Sequence, residues 1–326
     1  MNGIRRIGKA LVANSLMSEL SFLRRASGWM SKMRSKNGLS MYKDYGMKVY
    51  RMRGYEEYLS HATRDRERLS NHQSIISGIV PATQKEFTVN GYSYTAGQTV
   101  SFRVDFQHSG ADGKVIWRER VCCPLTGFNN RMRATFHLFD LEMEAYPDTS
   151  IYITEQVTPI FKYFSERYQN ITGSEYLGTK IQFGEVDRNG IRNETLCNLK
   201  FTDESFEIIV SLDVLEHIPD FPSALRECFR VLKPGGRMLL SVPFVAGSKD
   251  NIIRARLKDG EVEHVLPPEY HGDPLSQAGV LCYTHFGWEL LDELRAVGFR
   301  DAYALCYYSL EFGYLGGEQF LFIGRK

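Results

Sequence analysis

Residues 206–244 read FEIIVSL, DVLEHIPD, FPSALRECFRVL, KPGG and RMLLSVPF in succession. Phe206 to Leu212 is a short apolar run rich in β-branched residues, as a strand buried on both faces requires. Asp220 can cap a helix that carries Pro222 in its first turn, where a missing N–H costs little. Phe221, Leu225, Cys228, Phe229 and Leu232 fall on one helical stripe, while Arg226, Glu227 and Arg230 face away. Pro234, Gly235 and Gly236 stop that helix, and Arg237 to Phe244 supplies a second apolar strand. Strand, crossover helix and strand make a right-handed βαβ unit of an open parallel sheet, so the class is α/β. Ligands of such sheets bind beyond the carboxyl ends of the strands. That rule puts Asp213, Val214, Leu215, Glu216 and His217 at the mouth of a site.

The length of 326 residues suits about two domains. Hydrophobic residues make up 43% and charged residues 24%, an ordinary globular composition. No run reaches the ~18 consecutive apolar residues of a membrane span, and no compact signal-peptide core is visible. The six scattered cysteines, at 122, 123, 197, 228, 282 and 306, read as reduced thiols of a cytoplasmic protein.

A net charge of +1 hides an asymmetry. Residues 1–55 hold twelve Lys and Arg against Glu19 and Asp44, a net +10 that leaves −9 on the remainder. Such an arm suits anionic lipid headgroups at a membrane surface, nucleic acid or an acidic glycan. It equally suits a solvated helical face, an arm folded onto the acidic body, or an organellar transit peptide.

Helical spacing of Ile4, Ile7, Leu11, Leu16, Leu20 and Leu23 predicts a helix over 1–38, ended by Asn37-Gly38. A second helix is expected from about Gly54 to Gln73, with a stripe too thin to stand without a partner. Residues 86–122 alternate with period 2 between turn signals, which predicts a small antiparallel β-module. The expected domains are a basic helical region over 1–80, the β-module over 81–133, and a Rossmann-like domain over 134–326 with an insertion at 246–284. A loop that long is usually functional, and we expect it to be an acceptor-binding lid. His264, Glu269, Tyr270, His271, Asp273, His285 and Trp288 make it rich in polar and aromatic chemistry, and Arg254 and Arg256 before it can grip an anionic acceptor.

The module ends in CCPLTGFNNRMR, which resembles the second knuckle of a zinc ribbon, CPxCG, with Thr126 at the second cysteine. The first knuckle falls at SYTAG, where Ser93 and Ala96 replace cysteines. A structural zinc needs four ligands, so no metal is assigned and the module is expected to be metal-free. Phe102, Val104, Phe106 and Trp117 are left to hold it together.

The combination DVLEHIPD followed by RECFRVLKPGGRMLLSVPF resembles the second half of the class I S-adenosylmethionine-dependent methyltransferases of the type 11 and type 23 group. The resemblance spans about residues 150–326. It implies a doubly wound, seven-stranded, mostly parallel sheet with an antiparallel last strand, and S-adenosylmethionine as methyl donor. Strands are expected at 150–154, 171–176, weakly at 190–193, and in the closing segments DAYALCYYS and EQFLFIGRK. In the family the first strand ends in an acid and a glycine-rich loop. Here YITEQVTPIF puts Glu155 at the acidic position, followed by Gln156, Val157 and Thr158 without a glycine. Pro159 opens a helix whose N-terminal N–H groups can hold a carboxylate. Glu175, followed by Tyr176, matches the acid that takes the ribose hydroxyls. Glu194, Thr195 and Leu196 stand where the adenine edge is bound, and Asp213, Val214 and Glu216 complete the donor-facing set.

The base stays open among His217, His271 and His285. His217 is anchored beside the methyl and suits alignment, whereas a lid brings His271 down only once the acceptor has bound, so His271 is the expected base. Some relatives hold a divalent metal on an acid–His pair like Glu216-His217. The implied activity is O-methyl transfer to a small-molecule or saccharide-like acceptor. A catalytically degenerate binding protein, favoured by the missing glycines, and a nucleic-acid methyltransferase are the alternatives. Against the latter, no [DN]PP[YFW] signature follows the sheet.

Overall fold

The computed structural model describes residues 47–107, 109 and 113–326. The expected helix over 1–38 and most of the basic run lie outside the described residues. In chain order come β1 (Lys48–Met52), α1 (Tyr55–Arg64), α2 (Arg66–Ile79), β2 (Glu86–Ser93), β3 (Gln98–Asp105), α3 (Asn130–Glu142), β4 (Ile151–Ile153), α4 (Pro159–Ser165) and β5 (Ile171–Gly173). Next are β6 (Phe206–Leu212), a 3-10 turn at Leu215–His217, α5 (Phe221–Val231) and β7 (Leu232–Ser241). The insertion contributes β8 (Ile252–Ile253), β9 (Ala255–Lys258), β10 (Glu261–His264), β11 (Tyr270–Asp273), β12 (Ser276–Leu281) and β13 (Thr284–His285). The chain closes with α6 (Glu289–Val297), β14 (Asp301–Ser309) and β15 (Tyr314–Arg325).

Seven strands form one sheet in the order β1-β14-β15-β7-β6-β4-β5. β5, β4, β6 and β7 run parallel, and β15 and β14 close the sheet antiparallel. This is the expected class, with one exchange of strands. The weak strand at 190–193 is reduced to bridges, Glu175 with Asn193 and Val186 with Arg192. The seventh strand is instead β1, at the opposite edge. Its sequence KVYRM buries Val49 and Met52 in a pattern that the surrounding charge conceals.

β6 and α5 form as their sequence requires. Asp220 accepts the backbone N–H of Ser223 at 3.1 Å, and α5 buries Phe221, Ala224, Leu225, Cys228 and Val231. Each large apolar side chain so buried contributes on the order of 1.5–3 kcal/mol. On the outer face Arg230 pairs with Glu227 at 2.7 Å. The helix ends at Val231, before KPGG, because Leu232 already pairs with Phe206 in β6. The register then jumps to Ile208 opposite Arg237, so Lys233–Gly236 bulges out of the ladder, with Gly235 at φ +79°.

The helix expected over 54–73 is two helices. Asp65 breaks it at φ −100°, ψ 14°, where its carboxylate meets His61 at 3.1 Å and Arg68 at 2.7 Å. The second helix runs on to Ile79 because Ile76 finds a partner for the thin stripe. Ile76 packs with Phe102, Val104, Val115, Val121, Cys123 and Leu315, and Phe106 and Trp117 cover the same cluster. That cluster ties the β2–β3 hairpin to α2 and β15 within the unit Val49–Lys326.

Within the hairpin, Ser93 Oγ donates to Cys123 Sγ at 3.3 Å, and the Thr126 hydroxyl also bonds that sulfur. Three of the positions at which a ribbon's ligands converge are thus drawn together around one buried thiol. All six cysteines are free. Among the described residues no helix is long and apolar enough to cross a membrane.

Candidate active site

The carboxyl ends of β4, β5, β6 and β7 open into one cavity of about 1710 Å³. Each strand delivers its next residues to the wall: Thr154 and Glu155, Ser174 to Tyr176, Asp213, Val214, Glu216 and His217, and Val242 to Phe244, while Leu215 turns into the core. Residues 115–120 and Arg131 wall it from the β-module side, Leu315, Gly316 and Glu318 to Phe320 from β15, and Glu269 to His271 with Tyr283 from the insertion.

Of the residues expected to hold the donor, Glu155, Glu175, Tyr176, Glu194, Thr195, Leu196, Asp213, Val214 and Glu216 line this cavity. Gln156 does not. Its amide donates to Gly190 O at 2.8 Å and accepts from Arg192 N at 2.9 Å, so it braces the loop where the third strand was expected. Among the histidines, His217 and His271 line the cavity and His285 stands outside the lining. Arg254 and Arg256 also lie outside it; Arg254 is engaged by Pro267 O at 2.9 Å and Glu269 at 3.1 Å. Trp288 is core, its indole N–H donating to Ala246 O at 2.8 Å.

The glycine-free loop is held by a carboxylate. Glu175 Oε1 accepts the backbone N–H of Gln156 at 2.6 Å and of Val157 at 2.9 Å. These two N–H groups precede the cap Thr158 and are not those expected at the start of α4. Of the helix's own groups, Phe161 N–H is taken by Thr158 Oγ1 at 3.2 Å, and the helix is only seven residues long. Close packing here depends on Gly173, where a Cβ would lie 2.4 Å from the Phe161 ring and 2.9 Å from Glu155 O. Glu194 is satisfied internally, by Arg192 at 2.7 Å and the N–H of Lys200 at 3.0 Å.

Glu155 is different. Its Oε1 is buried without a hydrogen-bond partner, and burial pushes the carboxyl up to about 7, against the Thr158 hydroxyl and Arg131. Glu216 is fully buried, with both carboxylate oxygens unpartnered, and burial raises it also.

Asp213 follows β6 in a left-handed conformation, φ 53°, with its N–H on Ser241 O at 2.9 Å. Arg118 grips its carboxylate with two bonds of 2.6 and 2.9 Å, Arg131 approaches to 3.2 Å, and Ser241 Oγ donates at 2.8 Å. Burial alone would raise the carboxyl, but the two guanidinium groups outweigh it and hold Asp213 well below the usual range. Glu119 bonds both arginines, at 2.6 and 3.0 Å. Arg118, Glu119 and Arg131 were not legible as site residues, because nothing near them in sequence marks the surface they meet.

The three histidines differ in what holds them. His217 Nδ1 lies 2.9 Å from Leu281 O. A carbonyl only accepts, so Nδ1 carries the proton, and in the neutral ring Nε2 is the basic nitrogen. His271 Nε2 is 3.0 Å from Glu269 Oε1, and its Nδ1 faces Glu216 Oε1 at 3.7 Å. Cys282, then Glu216 and Glu269, favour its imidazolium and push it up to about 11 against burial. In the absence of a metal, those partners hold a proton on the ring. His285 Nε2 reaches the same Glu269 oxygen at 3.1 Å. Two carboxylates, a thiol and three imidazoles thus meet where the insertion touches the β6 loop. The spacing Cys282-x-x-His285 is a sequence signal for that cluster; the register that brings Glu269-x-His271 opposite it is not.

Residues 158–240 match a family model described as a methyltransferase domain. The 27-O-demethylrifamycin SV methyltransferase of Amycolatopsis mediterranei is 34% identical over 115 residues, 32% of this chain and 42% of that protein. The ubiquinone biosynthesis O-methyltransferase of Pseudomonas fluorescens is 31% identical over 64 residues, 20% of this chain and 25% of its own length. The chain thus matches less than half the length of each of these two relatives. Among solved structures, the 1,6-didemethyltoxoflavin-N1-methyltransferase of Burkholderia thailandensis, with S-adenosylhomocysteine bound, aligns over 60% of this chain and 77% of its own. The identity is 18% and the TM-score 0.35.

Proposed function

We propose that this chain, which carries a class I S-adenosylmethionine-dependent methyltransferase domain, transfers a methyl group to an oxygen of a small-molecule or glycan acceptor. The observation that carries the reading is the size and placement of the cavity. At about 1710 Å³ it exceeds the roughly 300–1,000 Å³ of a site for one drug-sized ligand, so it has room for donor and acceptor together. It opens beyond the carboxyl ends of the parallel strands, where such sheets bind ligands.

The residues present fit the donor. It is a cation at its sulfonium and ammonium, and Glu155, Glu175 and Glu216 give the cavity a surplus of buried or half-buried carboxylates. Glu155, with an unpartnered oxygen in the wall, is suited to accept from an ammonium or hydroxyl of the donor. Glu175 fixes the loop that frames it. When bound, the donor supplies an activated methyl on sulfur, and the protein's task is alignment and removal of the acceptor's proton. We assign that proton to His217 Nε2, whose tautomer Leu281 O sets. Tyr270 and Tyr283 of the insertion wall the acceptor end. The O-methyltransferases among the relatives support oxygen as the accepting atom. The +10 charge of residues 1–55 adds a contact with anionic surfaces.

One observation favours a second reading, a binding protein without turnover. The Asp213 carboxylate, which ends the central strand, is taken up by Arg118 and Arg131. Two measurements decide: calorimetric titration with S-adenosylhomocysteine, and transfer of labelled methyl from the donor to a panel of hydroxylated small molecules and oligosaccharides. Binding with transfer supports the enzyme, and binding without transfer to any acceptor supports the alternative. Absence of binding removes both.

A further inference from the structure

We propose that Glu269, His271, Cys282 and His285 form a four-coordinate structural site for a zinc-class divalent metal, which pins the insertion over the cavity. One donor atom from each lies within 4.8 Å of every other. Glu269 Oε1 is 3.0 Å from His271 Nε2 and 3.1 Å from His285 Nε2. Zinc-to-ligand bonds of 2.0–2.3 Å in a tetrahedron place their donors about 3.3–3.8 Å apart, so donors no more than 4.8 Å apart need to close by at most about 1 Å. Two imidazoles, one thiolate and one carboxylate are borderline-soft donors that suit this ion rather than calcium or magnesium.

The backbone is built to converge there. Tyr270 pairs with Leu281 and His271 with Val280 across β11 and β12. The N–H of Cys282 donates to Glu269 O at 2.8 Å, which closes the ladder directly onto the four donors. β13 then returns His285 against β8. Three short segments are thereby crosslinked at one point, as a structural metal crosslinks loops that lack a core of their own.

A second observation points to the metal independently. Glu216 is fully buried, and neither carboxylate oxygen has a hydrogen-bond partner. Its Oε1 faces His271 Nδ1 at 3.7 Å, on the far side of the ring from the cluster, and His217 Nε2 at the same distance. Histidines that bind metal through one nitrogen donate the other N–H to a carboxylate, which fixes the ring. Glu269 has the matching support, since Arg254 holds its other oxygen at 3.1 Å. An imidazole ligand and a carboxylate ligand each with an outer partner make a built site. With four protein ligands no position remains open for a reacting water, so the role is structural. This site is distinct from the ribbon-like module around Cys123, and it does not depend on the methyltransferase reading.

The test uses the full chain, purified without an affinity tag and without chelator. Elemental analysis should find about one zinc per chain. After removal of metal, cobalt(II) should bind stoichiometrically and show thiolate charge-transfer absorption, which Cys282→Ser abolishes and Cys123→Ser leaves intact. Glu216→Gln should weaken the metal by roughly 10–100-fold, the range for outer-shell partners. Cys282→Ser could also fail to fold, so circular dichroism of that variant is compared with wild type, and His285→Gln serves as a second ligand variant. No metal on purification together with no cobalt uptake by folded protein overturns the proposal. So does cobalt absorption that survives in both folded ligand variants.

Discussion

Glu175, at the end of β5, accepts the backbone N–H of Gln156 at 2.6 Å, tying together the first two strand-end loops of the sheet. The same oxygen takes Val157 N–H. A loop without glycine cannot adopt the conformations that bring a bare backbone against a ligand, and here a carboxylate sets its shape instead. Glu175→Ala should weaken donor binding by about 1.5–3 kcal/mol, the scale for losing charge-assisted hydrogen bonds. Calorimetry with S-adenosylhomocysteine measures it, and an unchanged affinity removes Glu175 from the donor site. Glu175→Gln separates holding from contact, because its amide oxygen can still accept from the loop.

Asp213 and Arg118 give a stability prediction. The pair is bidentate and partly shielded, with the Arg118 side chain about a third exposed. Removing one partner of a fully buried pair costs about 3–5 kcal/mol. Exposure screens part of that, so Asp213→Ala should lose about 2–3 kcal/mol in urea unfolding. Arg118→Ala should lose less, because Arg131 remains to face the carboxylate. Equal stability of both variants with wild type would show that the cluster is held open by solvent.

How much of this was legible in the sequence depended on whether a feature was local. β6, α5 and β7 follow from periodicity and caps within forty residues, and the loop from Asp213 to His217 follows from them. The third strand failed because residues 190–193 spend their backbone on single bridges and on Gln156. β1 was hidden because KVYRM lies in a run dominated by charge, where its two buried positions carry no visible period. Arg118 and Arg131 reach the site only through the packing of the module, and the Glu269 cluster only through the β11–β12 register. The two arginines leave no pattern at short spacing, and the cluster leaves only Cys282-x-x-His285.

Glu155 predicts a pH dependence. Its folded value, pushed up to about 7 by burial, exceeds that of an unfolded carboxylate, so the folded state binds the proton more tightly. Its contribution is therefore full below the unfolded value and is lost as pH rises towards about 7. The change amounts to about 3 kcal/mol, levelling off above that pH. Glu155→Gln should abolish this fall, so the variant gains on wild type between pH 5 and pH 8. Parallel stability profiles for the two proteins would mean that Glu155 is ionised and solvated in the folded state.

Charge at the start of the chain predicts a separate effect. Removing residues 1–38 should abolish salt-sensitive binding to vesicles rich in anionic lipid, since exposed charges act within a Debye length of about 10 Å at 0.1 M salt. Sedimentation of full-length and shortened protein with such vesicles tests it. Retained binding by the shortened protein would place the contact elsewhere.

The final prediction concerns the base. His271 faces Glu269 and Glu216 through its two nitrogens, and His285 lies off the cavity wall with Glu269 on Nε2. Glu269 takes His271 Nε2, and His285 does not reach the wall. In His217, Leu281 O claims the proton on Nδ1, which leaves Nε2, 3.7 Å from Glu216 Oε1, as the nitrogen for an acceptor hydroxyl. His217→Ala should therefore lower turnover by about 10²-fold or more with an alkyl hydroxyl acceptor, the usual scale for a general base. Donor affinity should be preserved. An acceptor whose hydroxyl is acidic enough to be ionised at the assay pH has no proton left to remove, so the same variant should lose far less with it. A purely structural role for His217 would lower both rates alike, and that outcome would return the base to the insertion.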